Sequence, residues 1–253
     1  MKLIVDNLAV EYEDQGSHDG VAMLLLHGWK NDLHTFDSIV PQLSSSYRTV
    51  RLDLPGFGGS ETPAADWKID DYVDFVNAFA KKLGIHCDIL VGHSFGGRIV
   101  IKSLARKVLR PRKIVLIASA GIAKRKSLRN GVVALAAKVG KAVAAIPLLS
   151  SALRNLRRTL YRKIGSDYET AGVLKRIFLN VIREDLSESA RAISVPALLI
   201  WGDRDTETPV SDGKRLAQLI PNSRLEVIAG AGHFVHREKS EEVVRIIKNF
   251  VAS

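Results

Sequence analysis

Short apolar runs alternate with segments of helical periodicity along most of this 253-residue chain. The runs are VAMLLLHG, YRTVRLDLPG, CDILVGHS, RKIVLIASAG, PALLIWGD and SRLEVIAGAG. Between them lie segments such as DDYVDFVNAFAKKLG, whose apolar residues recur about every 3.6 positions and whose last residue, Gly84, gives a stop signal. This alternation predicts an α/β fold, with a mostly parallel sheet covered by helices on both faces. The N-terminal KLIVDNLAVEYED alternates more loosely and predicts an antiparallel hairpin at one edge of the sheet.

The composition changes near Gly121 and again near Ile193, which divides the chain into core, insert and core. We predict one α/β domain made of residues 1–120 and 191–253, interrupted by an insert of residues 121–190. The insert holds 14 Lys and Arg against 5 Asp and Glu, so it accounts for nine of the ten net positive charges of the chain. Its sequence has the pattern of amphipathic helices with a basic polar face.

Composition excludes several classes of protein. With 46% hydrophobic and 25% charged residues, the chain is too apolar to be disordered. The only cysteine, Cys87, cannot form an internal disulfide, and the first residues lack the apolar region of a signal peptide, so we expect a cytoplasmic protein. The most apolar stretch, residues 131–153, is interrupted by Lys138, Lys141 and Pro147, and no transmembrane segment is predicted.

No cofactor is expected from the sequence. The histidines and the cysteine lack the spacing of metal ligands, and the glycine-rich GFGGS lacks the GxxxxGK[ST] pattern of a nucleotide-binding loop. The basic insert has no accompanying aromatic platform or nucleic-acid-binding motif. We therefore predict neither a metal site nor a nucleic-acid partner.

The pentapeptide Gly92-His93-Ser94-Phe95-Gly96 matches the pattern GxSxG and lies between the apolar run DILV and the helical GRIVIKSLARKV. A serine at such a strand-to-helix turn has a strained backbone, and it needs small neighbours because the flanking chains pass close by. The helix that follows points its N-terminus at the serine and favours negative charge there. Without this context the motif would be a serine in a glycine-rich turn; with it, the motif predicts Ser94 as a nucleophile.

A serine hydroxyl needs a base, usually an imidazole, to become a good nucleophile. Among the seven histidines, His233 lies in a glycine-flanked loop, GAGHF, after a late strand and before the last helix. His236 is the alternative, but it should fall in the first turn of that helix. His27 and His93 precede small functional turns, and we expect them to hold loops by hydrogen bonds. His233 is therefore the predicted base.

The imidazole in turn needs a carboxylate, and the loop WGDRDTETP offers Asp203, Asp205 and Glu207. Each of the three could equally be a solvated surface residue. An oxyanion hole is also required, and the backbone N–H of Phe95, directly after the nucleophile, supplies one donor. The second comes most simply from Trp29, in the loop after LLLHG, although Trp29 could equally be a core aromatic. Trp29 and Phe95 are also the predicted substrate contacts.

Together these motifs resemble the α/β-hydrolase superfamily, specifically its small serine esterase-like members with a helical cap. The resemblance covers residues 1–120 and 190–253. It rests on HGW at 27–29, DLPGFGGS at 53–60, GHSFGG at 92–97, WGDRDTETP at 201–209 and GAGH at 230–233. It implies an α/β-hydrolase fold and a triad of Ser94, Asp205 and His233, in which the acid is Asp205 because it lies four residues before Pro209. It also implies that residues 121–190 form a helical cap, or lid.

Because the nucleophile is serine, the resemblance argues against dehalogenases and epoxide hydrolases, whose nucleophile is aspartate. We expect a carboxylic ester hydrolase that works through an acyl-enzyme on a small ester or other acyl substrate. The alternatives are a carbon–carbon bond hydrolase of an anionic dienone acid and a ligand receptor that keeps the triad. The basic face of the cap would be solvated, attract an anionic substrate or touch a membrane surface. Arg98 would form a structural salt bridge or hold a substrate carboxylate.

Overall fold

An eight-stranded sheet forms the centre of the protein, of which a computed structural model describes residues 1–122 and 174–253. The strands are β1 (Lys2–Val5), β2 (Leu8–Gln15), β3 (Ala22–Leu26), β4 (Arg48–Leu52), β5 (Ile89–His93), β6 (Lys113–Ile117), β7 (Ala197–Gly202) and β8 (Ser223–Ile228). Their order across the sheet is β1-β2-β4-β3-β5-β6-β7-β8. Neighbours from β4 to β8 are parallel, whereas β2 is antiparallel to both β1 and β4. The predicted sheet and its N-terminal antiparallel hairpin at one edge are both confirmed.

Helices cover the two faces of this sheet. In the described residues they are a 3₁₀ helix (Leu33–Phe36), α1 (Val40–Leu43), α2 (Ile69–Leu83), α3 (Phe95–Ala105), α4 (Lys175–Arg183), α5 (Ser187–Arg191), α6 (Val210–Leu219), α7 (Val235–Glu238) and α8 (Ser240–Ala252). The apolar sides of α2 to α6 pack on one face of the sheet, and those of the 3₁₀ helix, α1, α7 and α8 pack on the other.

The apolar runs of the sequence supply both cores at once. Leu24 and Leu26 of β3 belong to one core, whereas Met23 and Leu25 of the same strand belong to the other, and all four are fully buried. Successive side chains of a strand point to opposite faces, so a strand that is apolar at every position requires cover on both sides. This explains why the runs read as continuous rather than alternating.

The end of the predicted insert returns to the core through α4 and α5. Residues 123–173, and with them most of the predicted cap at 121–190, lie outside the described residues, so the cap stays a prediction. On α4, the amide of Asn180 donates to the carbonyl oxygens of Asp66 and Trp67 over 3.2 and 3.3 Å. No helix within residues 1–122 or 174–253 has both the length and the apolar character needed to cross a membrane.

Candidate active site

Ser94 lies at the turn between β5 and α3 with a strained backbone. Its φ of 50° and ψ of −107° fall in a region that costs a non-glycine residue about 1–3 kcal/mol. Backbone hydrogen bonds to the end of β6 hold the turn. The N–H of Ser94 donates to the carbonyl oxygen of Ile117, and the carbonyl oxygen of Ser94 accepts the N–H of Ala120, both over 3.1 Å. A Cβ on Gly92 would lie 2.7 Å from the backbone of Gly96, so the tight turn requires a glycine there. The result is a half-buried serine at the end of a central strand.

The side chains of His233 and Asp205 meet in a nearly buried pair. His233 Nδ1 lies 2.9 Å from Asp205 Oδ2, and the two side chains are 7% and 0% exposed. An ionised carboxylate can only accept a hydrogen bond, so the ring nitrogen that faces it, Nδ1, carries the proton. In the neutral ring, Nε2 is then free of a proton. The arrangement therefore presents an imidazole whose Nε2 can take up a proton.

Hydrogen-bond donors surround the Asp205 carboxylate. Its Oδ1 accepts the backbone N–H groups of Glu207 and Thr208, each over 2.9 Å, and its Oδ2 lies 2.8 Å from the Thr208 hydroxyl. Burial opposes the charge, but the hydrogen bonds from His233 and Thr208 outweigh burial and lower the pKa of Asp205. The carboxylate is therefore ionised at neutral pH and can stabilise a positive imidazole.

Sequence reasoning missed Thr208. Its hydroxyl lies 3.2 Å from His233 Nδ1 and 3.0 Å from the carbonyl oxygen of Ala118, so it contacts both members of the pair and a neighbouring strand end. Its own carbonyl accepts the indole N–H of Trp201 over 2.8 Å. The only signal in the sequence is the short spacing Asp-x-x-Thr, which is typical of side-chain to backbone hydrogen bonding in turns.

The other two acid candidates lie elsewhere around the imidazole. Asp203 Oδ1 accepts the backbone N–H of Gly230 over 2.7 Å, which ties the loop after β7 to the loop that carries His233. Glu207 Oε2 lies 3.6 Å from His233 Nε2, on the nitrogen that Asp205 does not contact. Of the three carboxylates, the structure therefore brings Asp205 to Nδ1 and Glu207 near Nε2.

Two further histidines are buried next to His233. His236, in the short helix α7, contacts the hydroxyl of Thr35 over 3.3 Å, and burial lowers its pKa to about 3. His93 donates from Nε2 to the carbonyl oxygen of His233, and burial, together with the neighbouring histidines, holds its pKa well below the usual range. Both are therefore neutral, and the expected loop-holding role of His93 is confirmed.

His27 and Asp53, which directly follow β3 and β4, hold the loops at the ends of these strands. His27 Nε2 accepts the backbone N–H of Leu54 over 2.9 Å, and burial lowers its pKa to about 4, so it too holds a loop. The Asp53 carboxylate accepts the N–H groups of Leu33 and Gly59, each over 2.7 Å. The DLPGFGGS motif is thus a structural turn.

Ser94 and His233 line one cavity of about 220 Å³. Among the described residues, Trp29, Lys30, Asn31, Glu207 and Phe234 also line it. Arg98 is not among them: its guanidinium donates to the carbonyl oxygen of Glu184 over 2.9 Å, which joins α3 to the chain between α4 and α5.

The predicted oxyanion-hole residues lie side by side at the ends of β3 and β5. Phe95 is the first residue of α3, where backbone N–H groups have no carbonyl one turn earlier to bind. The rings of Trp29 and Phe95 are 5.4 Å apart, and Trp29 also packs on Phe57 and on Phe178 of α4. Phe95 as a whole residue is only 2% exposed, and its ring packs against Trp29, so the predicted contact of Phe95 with substrate stays a prediction for its backbone N–H.

This fold and the matched sequence define the class of the protein: the chain belongs to the alpha/beta hydrolase family, whose model matches residues 23–246. The predicted α/β-hydrolase fold is thereby confirmed, and the chain is a hydrolase.

Two curated proteins illustrate the similarity. The chain is 27% identical to the uncharacterized hydrolase YugF of Bacillus subtilis, over 99% of this chain and 97% of that protein. It is 29% identical to the pimeloyl-[acyl-carrier protein] methyl ester esterase of Neisseria meningitidis, over 90% of this chain and 92% of that protein.

Solved structures extend the similarity to the whole chain. A membrane phospholipase A, described as a bacterial virulence factor, matches with a TM-score of 0.78 and 25% identity, over 100% of this chain and 85% of that one. The enol-lactonase from Burkholderia xenovorans LB400 matches with a TM-score of 0.76 and 22% identity, over 100% of both chains.

Proposed function

We propose that this protein is a serine hydrolase of carboxylic esters, with Ser94 as nucleophile, His233 as general base and Asp205 as the acid that orients it. The observation that carries the proposal is the 2.9 Å contact between His233 Nδ1 and Asp205 Oδ2, on a histidine that shares one cavity with a serine in a strained turn. Such a set of nucleophile, base and orienting carboxylate is the arrangement that acyl transfer by serine requires.

The reaction follows from the roles of these atoms. The Ser94 oxygen forms a bond to the substrate carbonyl carbon while its proton passes to His233 Nε2, and Asp205 stabilises the resulting imidazolium. The backbone N–H groups of Trp29 and Phe95 would stabilise the oxyanion. The bond to the alcohol oxygen then breaks as Nε2 returns the proton to it, which leaves an acyl-enzyme. Water, deprotonated in turn by His233, hydrolyses that ester and restores the serine.

One similar protein supports an ester as the substrate. The Neisseria relative is named as a methyl ester esterase, and it is similar along nine-tenths of this chain. Hydrolysis of a carbon–carbon bond in an anionic dienone acid is the second candidate. It would need a basic side chain at the cavity, and Lys30, which lines the cavity, is the observation in its favour. Cytoplasmic location and contact of the basic insert with a membrane surface stay predictions from sequence.

A chain-length series of p-nitrophenyl esters, from acetate to palmitate, tests the proposal. Wild type should turn over at least one ester, and Ser94→Ala should lose that activity. The exposed Ser17→Ala is the matched control and should behave as wild type. An organophosphonate should label wild type and Ser17→Ala but not Ser94→Ala. Labelling of Ser94 without turnover of any ester would favour the carbon–carbon hydrolase or the triad-bearing ligand receptor, and turnover that survives in Ser94→Ala would refute the nucleophile.

A further inference from the structure

The Glu207 carboxylate has no part in the triad, yet it lies beside the reacting nitrogen. Its Oε2 is 3.6 Å from His233 Nε2, and it lines the same cavity as Ser94. Its backbone is fixed, because its N–H donates to Asp205 Oδ1 over 2.9 Å. The acid that orients the base therefore also positions a second negative charge at the other nitrogen of the ring.

The chemistry of the proposed reaction shows which part of the substrate this charge would meet. Nε2 must deliver its proton to the leaving-group atom, so the leaving group has to pass within hydrogen-bond distance of Nε2. A carboxylate oxygen 3.6 Å from that nitrogen then borders the leaving group rather than the acyl chain. The acyl carbonyl, by contrast, would face the proposed backbone donors of Trp29 and Phe95.

We propose that Glu207 is a specificity-determining residue that selects the charge of the leaving group, favouring cationic over anionic alcohols and thiols. The inference rests on the proposed function and names the leaving-group preference of that same site. The Glu207 side chain is 59% exposed, so solvent screens its charge, and its effect on a substrate is that of a surface ion pair. Lys30 lines the same cavity and acts in the opposite sense, so the comparison that matters is the change when Glu207 alone is neutralised.

This local preference opposes the charge of the chain as a whole. The net charge of +10 favours the approach of anions over long distances, whereas Glu207 disfavours an anionic leaving group at contact. The two effects differ in where they act, so a substitution at Glu207 and a distant charge-matched substitution should separate them.

Three thioacetates that share one acyl group test the proposal: cationic acetylthiocholine, its neutral dimethylbutyl isostere and anionic sulfonatoethyl thioacetate. Thiol release gives kcat/KM for each. We expect Glu207→Gln to lower the ratio of kcat/KM for the cation over the anion by about threefold to tenfold, the size of exposed charge interactions. Glu188→Gln on α5 removes the same charge from a side chain that is 87% exposed, and it should leave the ratio unchanged. An unchanged ratio in Glu207→Gln, or an equal change in Glu188→Gln, would overturn the proposal.

A second measurement separates this inference from the proposed function. Phosphonothiolates that carry the same three leaving groups react with Ser94 in a single step, and their labelling rates do not require turnover. If wild type hydrolyses none of the thioacetates, the p-nitrophenyl series alone decides ester hydrolysis, and the ratio of labelling rates still tests the role of Glu207 in the same direction. Failure of every phosphonothiolate to label Ser94 would overturn both proposals.

Discussion

The Nε2–H of His93 donates a hydrogen bond to the backbone carbonyl oxygen of His233 over 3.1 Å. The residue before the proposed nucleophile therefore holds the loop that carries the proposed base, although 140 positions separate the two in sequence. The two rings also pack against each other, with centroids 4.9 Å apart. The distance between nucleophile and base thus depends partly on a histidine that takes no part in the proton transfer.

His93→Phe keeps a ring at this position but leaves the carbonyl of His233 without its donor. We expect the free energy of unfolding to fall by about 1–3 kcal/mol, the cost of a buried polar group that loses its partner. The value of kcat should fall more than KM rises, because the base is displaced rather than the substrate pocket. Urea denaturation and steady-state kinetics measure the two effects, and the exposed His18→Phe serves as control. Equal behaviour of the two variants would contradict the positioning role.

Asp205→Asn and Asp203→Asn distinguish the two aspartates of one loop. In Asp205→Asn the new amide would favour the wrong tautomer of His233, and kcat should fall about ten-thousandfold, as expected when an orienting carboxylate becomes an amide. Asp203→Asn keeps an oxygen that can accept the N–H of Gly230, so its kcat should stay near that of wild type. The assay is ester hydrolysis at saturating substrate. A larger loss in Asp203→Asn than in Asp205→Asn would reverse the assignment of the acid.

Acid should destabilise the fold through its buried histidines. Burial lowers the pKa of His27 to about 4 and that of His236 to about 3. An unfolded histidine has a pKa of about 6.5, so below that pH the unfolded chain binds protons that the folded chain refuses. The free energy of unfolding should therefore fall as the pH drops from about 6.5 toward 4, by at most about 1.4 kcal/mol per pH unit for each such histidine.

Urea denaturation at a series of pH values checks this slope. His236→Phe removes one of the buried groups and should make the pH dependence shallower, whereas His18→Phe, on the surface, should leave it as in wild type. Stability that stays constant across the acidic range would show that these rings are protonated in the folded protein.

We expect Arg98 to contribute to the stability of the fold and not to the recognition of a charged substrate. Its side chain is buried, donates to the carbonyl of Glu184, and does not line the described cavity. Arg98→Met should lower the free energy of unfolding by about 1–3 kcal/mol, because that carbonyl loses a buried donor. The ratio of kcat/KM for an anionic ester over a neutral one should stay as in wild type. The control is Arg245→Met, on an exposed side chain, which should also leave this ratio unchanged. A selective loss with the anionic ester would instead make Arg98 a substrate ligand.

Much of the fold follows from local patterns in the sequence. The apolar run AMLLL of β3 is buried at every position, and a strand of that kind is stable only between two layers of helices. The turn at Ser94 is local as well, since the strand, the glycines and the helix that define it are contiguous. Patterns within about fifteen residues therefore suffice for both.

Local periodicity does not identify the carboxylate partner of the imidazole, and only the family resemblance predicts Asp205, which lies four residues before Pro209. Asp203, Asp205 and Glu207 lie within five positions of one another, and periodicity does not distinguish them. The sequence predicted that His93 holds a loop but not which one, and it gave no sign that Thr208 contacts the imidazole, because both residues contact His233, which lies 140 and 25 positions away.

The sequence by itself determined the layered α/β architecture and the position of the serine, because burial of continuous apolar runs and the steric demands of one tight turn are local properties. The tertiary structure decided which carboxylate meets Nδ1 of His233 and which lies near Nε2. That choice depends on the loop after β7, in which the N–H groups of Glu207 and Thr208 donate to Asp205. It also depends on the contact of this loop with residues 230–233, where the N–H of Gly230 donates to Asp203. Side-chain direction at such a junction is set by contacts between distant segments, and these exist only once the sheet has formed.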